Sequence, residues 1–208
     1  MKKRYLRAVL LFLGIAGIVA YSLYPSEKEE ECLEGEASPY GDAQVEGTSF
    51  KCFLPDEGAN CGMAFYFDDY ENWNRMDSLV LNLQSSENFK ELIVQILTFD
   101  PDNWGAKKPA LKELHLNSET KRYSIAMQHF YTPDYWFEQQ RARNTHNVKR
   151  FSSIMGLELY SGWKNPISKP LELKIQSICV EGLTSAPFVF LVIYIAILII
   201  IAISVRIK

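Results

Sequence analysis

No acidic or basic side chain occurs between residues 8 and 24, and none between residues 182 and 205. All 25 Asp and Glu fall between these two gaps, with 16 of the 22 Lys and Arg, so the middle carries a formal charge of −9 while the ends carry only positive charge. A middle this acidic repels a phosphate backbone, which excludes nucleic acid as a partner. Histidine is scarce: His115 and His129 lie in or beside alternating runs and His146 in a polar loop. There is no GxSxG, no HExxH and no CxxC. Triad hydrolysis, zinc chemistry and dithiol redox chemistry therefore have no scaffold, and the expectation is a protein that is not an enzyme and has no cofactor.

The two uncharged stretches define the ends. Residues 8–24 (AVLLFLGIAGIVAYSLY) follow Lys2, Lys3, Arg4 and Arg7. As a helix they rise about 26 Å, at the short end of what crosses a bilayer. The flanking charge puts residues 1–7 in the cytoplasm. A cleaved signal peptide is the competing reading, but no Ala-x-Ala site occurs nearby, which favours an uncleaved anchor. Residues 186–205 are almost wholly aliphatic or aromatic, with Ser185 as N-cap, Pro187 in the first turn, and Arg206 and Lys208 after them. This is read as a second transmembrane helix, with residues 206–208 as a cytoplasmic tail. A buried core helix would need to be apolar on every face inside a domain of roughly 160 residues. The expected location is a bacterial inner membrane, with both termini cytoplasmic and the main domain periplasmic.

Residues 25–47 are acidic, contain Gly and Ser, and hold few apolar side chains, so they read as a solvated tether. Glu29, Glu30 and Glu31 are consecutive and do not converge on one ion. The four cysteines, Cys32, Cys52, Cys61 and Cys179, all fall on the oxidising side of this topology, where an even count indicates disulfides. Cys52 and Cys61 flank the turn-rich PDEGAN, and a hairpin there brings them within bridging distance. Cys32 with Cys179 is then the second pair by elimination.

From residue 48 to 182 the chain becomes a series of short runs with period-2 alternation, the pattern of strands half buried in a sheet. They are Thr48–Leu54, Cys61–Phe67, Ser78–Leu83, Leu92–Phe99, Leu111–Leu116, Tyr123–Gln128, Ser153–Tyr160 and Leu171–Val180. Turn-rich sequence separates most of them and no long amphipathic helical period intervenes. About eight strands in this length predict an all-β ectodomain, a two-sheet jelly-roll sandwich. Tyr131–Arg143 (YTPDYWFEQQRAR) breaks the pattern and reads as an irregular crossing with a short helical turn.

The phrases FDDYENWNRMDSLVLNLQ, ELIVQILTFDPD, TPDYWFEQQRA, IMGLELYSGW and LELKIQSICVEG, with NCGM at Asn60–Met63, carry a resemblance. Residues 48–182 resemble a bacterial extracytoplasmic sensor-like domain, itself similar to carbohydrate-binding modules of the galactose-binding-like jelly-roll class. The resemblance implies a domain between two transmembrane helices, ahead of a cytoplasmic output module such as a diguanylate cyclase or a DNA-binding domain. This chain departs from that pattern after its second apolar segment, which gives the expectation that a membrane-protein partner carries the output.

Aromatic side chains supply the candidate site. Tyr70, Trp73, Trp104, Tyr131, Tyr135, Trp136 and Trp163 fall in or beside loops, with Asp134, Arg141 and Arg143 placed to hydrogen-bond a ligand. Sugar rings stack on aromatic faces while neighbouring polar groups bind their hydroxyls, so the ligand class expected is a glycan. The bland alternative is that each aromatic caps the core. Asp68–Asp69, or Asp100 with Asp102, would suit a structural calcium ion or a glycosidase, but turn chemistry explains them more simply. Three functions follow: a binding or sensing module, a structural or assembly subunit of an envelope complex with no small ligand, and, least supported, a glycan hydrolase.

Overall fold

Alternating apolar residues from Phe50 onward give each segment one greasy and one polar face, and the greasy faces bury against one another as two sheets. The computed structural model of the chain describes residues 28–99, 107–140, 151 and 153–183, together with Gly14, Gly17, Tyr194 and Ile195. The chain divides into two units: Glu30–Gly182, and the terminal stretches Met1–Glu29 and Leu183–Lys208.

The first unit is all-β, with eleven strands in the described chain: β1 Lys28–Cys32, β2 Glu36–Gly41, β3 Gln44–Glu46, β4 Ser49–Phe53, β5 Cys61–Glu71, β6 Met76–Ser85, β7 Glu91–Phe99, β8 Lys107–His115, β9 Arg122–Ala126, β10 Ile154–Ser161 and β11 Pro170–Leu183. One sheet runs β3-β4-β11-β6-β9 with β1 also paired to β11; the other runs β2-β5-β10-β7-β8. All the registered pairs are antiparallel. From β4 to β7 successive strands alternate between the sheets, as they do from β9 to β11, which is the winding of a jelly roll. Between the sheets lie Phe50, Met63, Phe65, Leu79, Leu81, Leu83, Leu92, Val94, Ile96, Leu157, Leu159, Leu173 and Ile175, all buried.

The eight expected strands are present. Residues 28–46, expected as a tether, instead contribute β1, β2 and β3 to the sandwich. Their apolar content is low because they sit at sheet edges and rely on pairing. Proline is tolerated on an edge strand, and Pro39 lies in β2 at the edge of its sheet. Gly41 turns the chain from β2 toward β3 with a φ of 62°. The β1 strand shares the edge of β11 with β4: Leu33 N–H donates to the Ile178 carbonyl at 2.8 Å, and Cys32 bonds to Cys179. The Glu30 carboxylate is not solvated freely but pairs with Arg122 of β9 at 3.1 Å, and Arg122 also pairs with Glu181. Both expected disulfides, Cys32–Cys179 and Cys52–Cys61, are present.

The second unit holds the segments expected to cross the membrane, 8–24 and 186–205. They lie outside the described residues except at four helical positions, Gly14, Gly17, Tyr194 and Ile195. Among the described residues no helix is long and apolar enough to cross a membrane. The Tyr194 ring occupies the space where a side chain on Gly17 would lie, a close approach that only glycine permits.

Candidate functional site

Strand register decides which side chains share the outer face of the β2-β5-β10-β7-β8 sheet. Paired positions form three rows across it. The first row is Tyr40, Gly62, Tyr160, Ile93 and Glu113; the second is Ser38, Ala64, Glu158, Gln95 and Leu111; the third is Glu36, Tyr66, Gly156, Leu97 and Pro109. Their neighbours along the strands, such as Met63, Phe65, Leu157, Leu159, Val94 and Ile96, belong to the core, so period 2 turns these rows outward.

The centre of the face is lined by small residues. A Cβ on Gly62 would collide with the Leu159 carbonyl and the Tyr160 backbone, so β5 has no side chain there. Tyr40 and Tyr160 lean across that gap and stack, with ring centroids 5.2 Å apart and planes 25° from parallel. The Tyr160 hydroxyl donates to Gln95 Oε1 at 3.3 Å, and Gln95 Nε2 donates to Glu158 Oε2 at 2.5 Å. The chain crossing after β9 closes one side. Tyr131 pairs through its backbone with Leu111 (N–H to O distances of 2.7 and 3.0 Å), and its hydroxyl donates to Glu113 Oε1 at 2.9 Å. A seven-residue helix, α1 (Asp134–Gln140), follows and presents Tyr135, 51% exposed.

Ionisation ties these groups to one spot. Burial, with charge from Glu158 and Tyr135, raises the Tyr40 phenol above its ordinary range. Burial and Glu158 do the same for Tyr135. The Tyr160 phenol is raised further, chiefly by burial and then by Tyr135, Tyr40, Glu158 and Tyr131. Tyr131 is pushed up to about 12 by burial and by its hydrogen bond to Glu113. All four phenols therefore stay protonated at neutral pH, those of Tyr131 and Tyr160 donating to Glu113 and Gln95. Together with the acceptors Glu113 and Glu158, they offer aromatic faces and hydroxyl-binding groups within one surface, the combination that binds sugar rings.

The residues singled out in the sequence distribute unevenly. Tyr131, Asp134 and Tyr135 come to this face. Trp73 does not: it is 1% exposed, packed edge-on against Phe67 in the core, and its backbone N–H donates to the Phe151 carbonyl at 2.6 Å. Trp136 is also buried, at 5%, and with Phe137 it covers the Lys108 ammonium, which lies 5.4 Å from each ring. Tyr70 is exposed near the end of β5, and Trp163 is exposed on the loop after β10. Trp104, Arg141 and Arg143 lie outside the described residues. Of the acidic pairs, Asp68 and Asp69 sit in β5, while Asp100 and Asp102 are outside the described residues. Among the described residues the only cluster with metal-ligating spacing is Glu30, Cys32 and Cys179, and its two sulfurs are bonded to each other.

Sequence reasoning missed Tyr40, Gln95, Glu158 and Tyr160. A polar residue inside the apolar run LIVQILTF and the outward positions of MGLELY were the available signals for three of them. Tyr40 lay in a segment read as tether.

Two antiparallel sheets packed face to face and wound as a jelly roll, with an aromatic outer face on one of them, define a jelly-roll β-sandwich. No family model matches the chain, and no curated protein matches it. Among solved structures it is similar to a family 30 carbohydrate-binding module, with 7% identity over 75% of this chain and 99% of that one and a TM-score of 0.50. It is also similar to the family 11 module of the cellulosomal cellulase Lic26A-Cel5E of Clostridium thermocellum (13% identity, 77% and 90% of the two chains, TM-score 0.46). A third is the family 11 module from Clostridium thermocellum in complex with a β-1,3-1,4-mixed-linked tetrasaccharide (12%, 77% and 91%, TM-score 0.48). At these identities the likeness is one of fold.

Proposed function

We propose that this chain is a membrane-anchored extracytoplasmic binding module that takes a carbohydrate chain on its tyrosine face and passes occupancy to a membrane-protein partner. The observation that carries the reading is the convergence of Tyr40, Tyr131, Tyr135 and Tyr160 around Glu158 on a sandwich of carbohydrate-binding-module fold. The half-exposed Tyr135 and the partly exposed Tyr131 supply stacking faces; the Tyr40–Tyr160 pair holds the floor rigid beneath them. Glu36, Glu113 and Asp134, with Glu158 at the centre, make the face negative, which suits uncharged sugars and disfavours uronic or sulfated ones. The reading is of a binding protein and not a catalyst.

The two uncharged segments with Lys and Arg at their outer ends support the inner-membrane anchor and cytoplasmic termini. Two disulfides support an oxidising compartment for the domain. Electrophoresis of the detergent-solubilised full chain through gels containing mixed-linked β-glucan, xylan or laminarin tests the reading. Retardation by one of them, absent in a Tyr131→Ala/Tyr135→Ala chain, supports it. Free migration in every gel, with a stoichiometric protein co-purifying from the membrane regardless of those substitutions, supports an assembly subunit instead.

A further inference from the structure

We infer that the sandwich carries a second carbohydrate site, built around Trp163 between the loops that follow β4 and β10 and sharing no lining residue with the tyrosine face. Trp163 is 69% exposed, whereas Trp73 and Trp136 are buried. Its indole borders a cavity of about 440 Å³ formed by two loops, with Gly58, Pro166 and Ile167 in the lining and Asp56 and Glu57 among the acidic members. That volume falls in the ordinary range for small-ligand sites.

Both loops are held rigid by contacts that leave the indole itself outside. The first loop, residues 54–60, is closed at its base by the Cys52–Cys61 disulfide. The second is clasped by Asn165, which is buried: its Oδ1 accepts from the backbone N–H groups of Lys90 (2.7 Å) and Glu91 (3.1 Å). Its Nδ2 donates to the carbonyls of Glu91 (2.6 Å) and Gly162 (3.0 Å). The buried Glu91 carboxylate then accepts from Lys164 Nζ at 2.8 Å and from the Lys164 backbone N–H at 3.3 Å. Ser168 N–H donates to the Leu54 carbonyl at 2.9 Å and ties the two loops together. The backbone is therefore pinned on both sides of Trp163 while its ring faces solvent, so a ligand stacking there meets little ordering cost.

The chemistry selects the ligand. An open indole face binds the C–H face of a sugar ring, and Asp56 and Glu57 make no ion pair among the described residues and so remain available to accept from sugar hydroxyls. The space between the loops is a short, half-open cleft, which suits one or two rings of a neutral oligosaccharide. The tyrosine face, spread across five strands, suits the side of a chain. A module with both would hold one polysaccharide at two points or bridge two chains, with the gain in avidity that linkage brings.

The test uses acrylamide quenching of tryptophan emission from the full chain, with cellotetraose, laminaritetraose, xylotetraose and a mixed-linked tetrasaccharide as probes. The expected result is that one probe lowers quenching of the accessible emission by about twofold, in the native chain and equally in the Tyr131→Ala/Tyr135→Ala chain. In Trp163→Ala the protection is gone, and calorimetry in the tyrosine-substituted background shows affinity for that probe weakened by about tenfold. The inference is overturned if no probe alters quenching, if protection disappears with the two tyrosines, or if it survives in Trp163→Ala. The tyrosine face and this site fail separately: binding lost only with Trp163 removes the face, and binding lost only with the tyrosines removes the second site.

Discussion

The rings of Tyr40 and Tyr160 stack 5.2 Å apart across a strand that has no side chain at Gly62. A single strand, β5, lies between them in the sheet and more than a hundred residues lie between them in sequence, yet the pair forms the floor of the outer face. Tyr40→Ala removes one ring from a partly exposed pair and should cost about 1 kcal/mol; Tyr160→Ala, at a buried position, should cost about 3 kcal/mol. Urea unfolding of the two variants measures both. Equal losses would mean that the stack does not depend on Tyr160 as its buried member.

Tyr131 gives a pH signature. Its pKa in the folded chain is pushed up to about 12 from the ordinary 10.0, so the folded state holds the phenolic proton more tightly than the unfolded one. The associated stability is whole below pH 10 and is lost as pH rises through 12. Ultraviolet titration of the phenols should show a late-titrating group that moves to lower pH in Glu113→Gln, because the carboxylate charge is removed and the hydrogen bond it accepts becomes a weaker, neutral one. A titration curve unchanged by that substitution would disconnect Tyr131 from Glu113.

The clasp beneath Trp163 behaves in the opposite sense. Burial alone would raise the Glu91 carboxyl, but the hydrogen bonds and charge from Lys164, with His115 beyond, hold it below the usual 4.5. Its contribution is present above that value and fades as pH falls through the lowered folded pKa. Asn165→Ala strands buried backbone groups of Glu91 and Gly162, at a cost of about 2–4 kcal/mol. Thermal melts at pH 7 and pH 4 should show wild type losing stability toward the lower pH and Glu91→Gln losing less. A Glu91→Gln chain with the same pH dependence as wild type would contradict the assignment.

Most of the sandwich was legible because alternation is a strong signal where strands bury a full apolar face, as in LIVQILTF and LELKIQSICV. It failed for β1 to β3, whose short acidic runs become strands only through partners: β2 against β5, β3 against β4, and β1 stapled to β11 by Cys32–Cys179. Loop composition misled at Trp73. The surrounding Asn72, Asn74 and Arg75 form the exposed turn, while the indole points into the core against Phe67. The site was half legible. Tyr131, Asp134 and Tyr135 stand out as a break in the strand rhythm. Tyr160 and Glu158 look like any outward-facing strand residues until register sets them beside Gln95 and Tyr40.

The disulfides should differ in weight. Cys32–Cys179 spans a sequence separation of 147 and Cys52–Cys61 one of 9, so chain entropy gives about 5 and about 2–3 kcal/mol respectively. Replacing both members of each pair with Ser, followed by denaturant unfolding, checks the order. A larger loss from the short loop would show that local packing around PDEGAN outweighs closure of the long one.

The most direct test is calorimetric titration of the full chain with the polysaccharide that retards it best, comparing wild type with Tyr135→Ala. Tyr135 is half exposed, so its removal leaves the fold intact while deleting a stacking face. The account predicts measurable binding by wild type and an affinity weakened by about tenfold in the variant. Equal affinities in the two chains, or no heat with any neutral polysaccharide, would contradict it.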